Sequence, residues 1–98
     1  MLWKIYDETV EMERRFQYLP GTFRWRGQRY EIDVVERSWT VAGRSWRRHV
    51  QRRFYQVRCS EGVFEIFQDL KTGIWWLRRA KLASRRSLLL RRMAPAWR

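Results

Sequence analysis

Apolar and polar positions alternate with a period of two through much of this chain. In Phe23-Arg24-Trp25-Arg26, Phe23 and Trp25 fall on one face of an extended strand and Arg24 and Arg26 on the other, because successive side chains of a strand point to opposite sides. Gly27 supplies the positive φ of a tight two-residue hairpin loop. Arg29-Tyr30 then opens a second alternating run, in which Tyr30, Ile32 and Val34 share a face opposite Glu31 and Asp33. Beyond Val35 the phase flips, so that Val35, Trp39 and Val41 become the apolar set. A phase change within a strand predicts a β-bulge or sharp bend, the device that curls a small sheet into a barrel.

The same pattern continues on both sides. Residues 1–20 fit either period: Trp3, Tyr6 and Val10 suit a helical face, while Val10, Met12, Arg14 and Phe16 alternate with charged neighbours. The β-branched pair Thr9-Val10 and the missing cap favour a strand over residues 8–15. Leu19-Pro20-Gly21 predicts a turn. Downstream, residues 42–53 form a basic loop, followed by strands over 54–59, 63–69 and 74–79 with turns at Ser60-Glu61-Gly62 and Lys71-Thr72-Gly73. Short strands separated by glycine turns predict a mainly β fold, a small antiparallel barrel or strongly curled sheet of five to six strands.

From Ala80 onward the pattern changes. Leu82, Leu89, Met93 and Trp97 fall on one helical stripe flanked by arginines, Ser84 can cap the helix, and Pro95 must end or kink it. The chain is thus read as one β domain over residues 1–82 and a basic amphipathic helix or tail over 83–98.

Charge sharpens this division. The net charge is +12, but residues 1–36 carry −1, residues 37–69 carry +4 and residues 70–98 carry +9, with no acidic residue in the last segment. That asymmetry points to a polyanionic partner, nucleic acid before a membrane surface. The bland alternative is an arginine-rich composition with a solvated surface. An apolar share of 45% and an aromatic share of 16% exclude wholesale disorder. One cysteine excludes an internal disulfide framework and a Cys-rich zinc site. Leu88-Leu89-Leu90 is far too short to span a bilayer, and Asp7 and Glu8 stand where a signal peptide would be apolar. A cytoplasmic location is expected.

The order Pro20, Phe23-x-Trp25-Arg26-Gly27-x-x-Tyr30, Val34, Trp39 and Trp46, followed by Arg53-Phe54-Tyr55-x-Val57, Phe64-Glu65-Ile66 and Asp69…Gly73-x-Trp75-x-Leu77, resembles a family of small bacterial domains of unknown function. That family occurs as short stand-alone proteins and at the C-terminal end of mutagenesis-associated relatives of Y-family DNA polymerases. The resemblance covers residues 8–79. Where the family strand often closes with Tyr-Asp, this chain has Lys81-Leu82 and the basic tail. The resemblance implies an all-β domain and a link to DNA-damage tolerance, and it implies no activity.

Candidate chemistry is sparse. His49 has no cysteine or second histidine at metal spacing, and Cys59, at the end of an apolar strand, reads as a small core residue. Glu31 and Asp33 share a strand face, where ion pairs with Arg24 and Arg26 across the hairpin are the simplest use. No phosphate-binding loop, dinucleotide fingerprint or nucleophile elbow is present. No catalysis, metal or cofactor is expected.

Surfaces remain. Arginine interleaved with aromatics suits single-strand binding, with guanidinium on phosphate and rings on bases. The candidate contacts are Arg24, Arg26 and Arg29 on the hairpin, and Arg44, Trp46, Arg47 and Arg48 in the loop. Arg78, Arg79 and Lys81 on the last strand join them, with Arg85, Arg86, Arg91 and Arg92 in the tail. Most rings, among them Phe23, Trp25, Tyr30, Phe64 and Trp75, are expected in the core. The adjacent pair Trp75-Trp76 must split between the two faces of its strand. The expected function is a non-catalytic nucleic-acid-binding module for DNA or RNA. The alternatives are a protein-interaction module that docks on a polymerase or repair assembly, through a sheet edge or the stripe Leu89, Met93 and Trp97, and adsorption of the tail to anionic lipid.

Overall fold

Two consecutive positive φ angles, 52° at Arg26 and 77° at Gly27, make the hairpin loop. Trp25 and Gln28 pair directly across it. Such a loop matches the right-handed twist of its strands and fixes their register. The computed structural model describes residues 2–17, 19–43 and 51–83. They form six strands: β1 (Lys4–Phe16), β2 (Leu19–Trp25), β3 (Gln28–Ala42), β4 (Gln51–Cys59), β5 (Gly62–Asp69) and β6 (Trp75–Leu82). Each is antiparallel to the next, and β6 pairs back onto β1 to close a barrel.

Closure depends on strands that serve two neighbours. β3 pairs with β2 over Gln28–Glu31 and then with β4 from Ile32 to Ala42. Its register shifts between Ile32 and Val34 and again between Val35 and Arg37, where the apolar phase flips in the sequence. β1 does the same, pairing with β6 over Lys4–Val10 and with β2 over Glu11–Phe16. A shift between Ile5 and Glu8 accompanies the positive φ of 50° at Asp7. The bulges bend both strands around the corner of the barrel.

The inward set is continuous. Phe23, Trp25, Tyr30, Tyr55, Val57, Phe64, Ile66, Trp75 and Leu77 are all buried in one core with Val10, Cys59 and Ala80. Phe64 of β5 lies 5.0 Å from the Tyr30 ring and 5.5 Å from Phe23, tying the far strand to the hairpin. Burial pushes the Cys59 thiol up to about 12, as expected of a thiol enclosed by apolar groups.

Four boundaries differ from the sequence reading. Leu19-Pro20-Gly21, expected as a turn, opens β2 instead: the chain reverses at Gln17, with a φ of 58°, and Leu19 already pairs with Phe16 and Pro20 with Arg15. β1 begins at Lys4 rather than residue 8 and is a strand interrupted only by the bulge at Asp7, because pairing with β6 overrides the mixed periodicity. β4 begins at Gln51, so Arg52 and Arg53 belong to the sheet: Val41 and Asp69 flank Arg52, and Thr40 and Gln68 flank Arg53. β6 continues through Lys81 to Leu82. Among the described residues there is no helix, and the tail from Ser84 lies outside them.

Candidate functional site: an aromatic row among arginines

The hairpin arginines are committed to β1. Glu11 pairs with Arg24 in the β1–β2 register, which brings the outward carboxylates of β1 under the hairpin. Arg29 donates to Glu13 through Nε at 3.2 Å and Nη2 at 3.0 Å, and Arg24 adds Nε at 3.4 Å. Arg26 grips Glu8 with Nε and Nη2, and the Trp25 indole Nε1 donates to the same carboxylate at 3.0 Å. The Arg26 guanidinium also lies 4.8 Å from the Trp25 ring and 5.2 Å from Tyr6. The hydrogen bonds from Arg26 hold the Glu8 carboxyl below its ordinary range, and those from Arg29 do the same for Glu13. Glu31 and Asp33, the partners expected from sequence, form none of the ion pairs with Arg24 and Arg26. Those arginines find Glu13 and Glu8 on the neighbouring strand instead.

The opposite wall is organised differently. Trp39 pairs with Phe54, Phe54 with Phe67, and Phe67 with Trp76, one residue from each of β3, β4, β5 and β6. Partners directly across a ladder share a face. Their chain neighbours Tyr55, Ile66 and Trp75 are in the core, so this row lies on the outside. Its rings are in contact from end to end, with centroids 5.3, 4.9 and 6.2 Å apart. Phe54 and Phe67 are only 6% and 7% exposed; Trp39 and Trp76 at the two ends are half-buried.

Cations surround the row. Arg37 lies 4.5 Å over the Trp39 ring and Arg52 5.2 Å from Phe67. Among the described residues neither has a carboxylate partner, and none pairs with Arg53. Beside the row is a groove of about 430 Å³ lined by Trp39, Val41, Arg52, Phe54, Glu65, Arg78 and Arg79. Glu65, 4% exposed, is its one acid, and it is clamped by Arg78 Nε at 3.4 Å and Arg79 Nη2 at 3.2 Å. A register shift between Glu65 and Ile66 lets consecutive arginines of β6 reach that one carboxylate. The buried Arg79 Nε has no hydrogen-bond partner among the described residues. Trp3 receives Arg79 at 4.3 Å and Lys81 at 4.8 Å on its ring. Next along the sheet, Glu36 accepts from Arg58 and from Gln56 Nε2, and the latter bond is the main cause of its lowered carboxyl pKa.

Of the residues expected from sequence, the fold brings Arg78 and Arg79 into the groove and places Lys81 beside it over Trp3. Arg24, Arg26 and Arg29 stand apart, held by Glu8 and Glu13. Arg44, Trp46, Arg47 and Arg48, and the tail residues Arg85, Arg86, Arg91 and Arg92, lie outside the described residues. Arg37, Trp39, Arg52, Phe54 and Phe67 were missed. The signal was available: Phe54-Tyr55 and Ile66-Phe67 are adjacent apolar pairs that must split between faces in the same way as Trp75-Trp76.

Chemically, the face can stack flat groups and neutralise anions. Among the described residues no three of His, Cys, Asp and Glu gather as a metal site. No match was found among curated proteins or among solved structures. One sequence family does match, over residues 3–82, and on that coverage the chain belongs to the family described as Domain of unknown function (DUF6504).

Proposed function

We propose that this domain is a non-catalytic nucleic-acid-binding module that works through the outer face of β3–β6. The observation carrying this reading is the unbroken ring row Trp39–Phe54–Phe67–Trp76 with Arg37 and Arg52, cations without carboxylate partners among the described residues, lying directly on it. Free guanidinium groups meet phosphates, and phosphate contacts supply most of the affinity with little sequence preference. Arg24, Arg26 and Arg29 contribute less than their number suggests, since a phosphate would have to displace Glu13 or Glu8. The basic loop Arg44-Ser45-Trp46-Arg47-Arg48 and the tail arginines enlarge the cationic surface in this reading. The resemblance to domains that end mutagenesis-associated polymerase relatives makes DNA the first polyanion to test, in the cytoplasm and in the setting of damage tolerance.

The alternative, docking on a protein partner, keeps both of its surfaces. Beyond Glu31, β3 is paired with β4 alone, which leaves its other side as a sheet edge, and the tail carries the stripe Leu89, Met93 and Trp97. Fluorescence anisotropy with labelled single-stranded DNA, duplex DNA and RNA of matched length tests the proposal. Affinity is expected to fall roughly 10- to 100-fold between ~50 and ~200 mM salt, the slope of a few phosphate contacts. Absence of binding at the lower salt by a folded sample sinks the proposal and leaves the tail as bait for a protein partner.

A further inference from the structure

Resting on the nucleic-acid reading above, we infer that the ligand of the β3–β6 face is a single strand, whose bases stack at two stations, Trp39 and Trp76, while its backbone crosses the sheet along the row between them. The row runs across four strands. At ~4.8 Å per inter-strand step its ends lie ~14 Å apart. Phe54 and Phe67, almost fully covered, form the floor that holds the ends in place; only the two tryptophans retain open ring surface. Neighbouring rings at each end are nearly parallel, 7° for Trp39–Phe54 and 7° for Phe67–Trp76. Both stations are therefore presented as flat, pre-ordered platforms, which lowers the entropy cost of stacking on them.

The cations are placed for the strand that such stacking leaves. Arg37 rests over Trp39. A base arriving on that ring replaces one π contact with another and frees the guanidinium for the adjoining phosphate, with no carboxylate to displace. Arg52 lies between the stations, over Phe67, where a backbone joining two stacked bases must pass. A duplex cannot use this arrangement, because its bases already cover one another and only its phosphates are offered. Duplex binding would therefore draw on the arginines alone.

The test uses the full chain at low salt and three labelled probes: a single-stranded oligothymidine, the same sugar-phosphate strand without bases, and a duplex of equal length. Trp39→Leu keeps apolar bulk over Phe54 and removes the stacking surface; Trp76→Leu does the same at the other end. Thermal unfolding of each variant verifies that the barrel persists, and Trp39→Phe serves as a partial rescue. Each leucine variant is expected to lose about 5- to 150-fold in affinity for oligothymidine, the fold-change of ~1–3 kcal/mol per stacked base. Affinity for the abasic strand and the duplex should stay within about twofold. Arg52→Gln should weaken all three. Equal losses on all probes, or no loss on oligothymidine, would overturn the two stations and leave charge-driven binding intact. Failure of all three probes, and of an RNA of matched length, to bind the unaltered chain would overturn the nucleic-acid reading itself.

Discussion

At Gly62 the barrel has no room for a side chain. A Cβ there would stand 2.2 Å from the Lys81 carbonyl oxygen, 2.9 Å from the Leu82 Cα and 3.1 Å from the Ala83 nitrogen, all backbone atoms. Its φ of 149° is itself a conformation that side-chain-bearing residues avoid. Gly62→Ala thus combines two costs. Forcing the φ costs about 1–3 kcal/mol. Pushing β6 away costs a further ~1–3 kcal/mol, since relief means loosening the Gly62–Leu82 and Val63–Lys81 pairs and the 2.7 Å bond from the Ala83 N–H to the Glu61 carbonyl. The total, about 2–6 kcal/mol, is a large fraction of the ~5–15 kcal/mol that holds a small domain folded.

A second glycine separates the two costs. Gly27 has a φ of 77° but nothing within 4 Å of an added Cβ, so Gly27→Ala should lose only the conformational part, ~1–2 kcal/mol. Urea unfolding of the wild type and both variants, followed by circular dichroism, gives the comparison at constant slope. Gly62→Ala should also melt roughly 10 °C or more below the wild type. If it loses no more stability than Gly27→Ala, the close approach of β5 and β6 at this point is wrong.

Two further predictions concern titration and reactivity. Glu8, Glu13 and Glu36 have carboxyl groups held below their ordinary value of 4.5. Below about pH 4.5 the unfolded chain therefore binds more protons than the folded one, so this stability is full only above that ordinary value and is lost as pH falls through the lowered values. The loss between pH 5 and pH 3, measured by urea unfolding, should shrink in Glu13→Gln; an unchanged loss would show that the Arg24–Glu13–Arg29 cluster does not feel the fold. Cys59, pushed up to about 12 inside the core, should resist thiol-specific reagents at pH 8 until denaturant opens the barrel. Fast labelling of the native chain would contradict its burial.

The backbone plan was legible because its signals are local. Alternation over residues 23–35, the hairpin at Gly27 and the turns before Gly62 and Gly73 depend on neighbours in sequence. So does the bulge near Val35, since a phase flip is written in consecutive residues. The destinations of the arginines were not legible. Arg26 meets Glu8 and Arg29 meets Glu13 across sixteen or more positions, and that meeting follows from the β1–β2 register, which bulges shift twice between Met12 and Arg15. The outer ring row was half legible. Trp75-Trp76 announces that one ring leaves the core, but the alignment of Trp76 with Phe67, Phe54 and Trp39 needs three inter-strand registers at once.

The closing ladder has a consequence for how the chain is made. Lys4 pairs with Ala80 and Val10 with Trp75, so the first strand waits for the last. Ribosomal synthesis runs from the N-terminus, and until residues 75–80 have emerged β1 has no partner on its β6 side. Contacts between such distant positions also carry the largest loop-closure entropy and slow folding accordingly. Throughout translation the nascent chain keeps an unpaired strand edge, a template for association with other nascent chains. A ribosome that stalls within β6 leaves a sheet that cannot close.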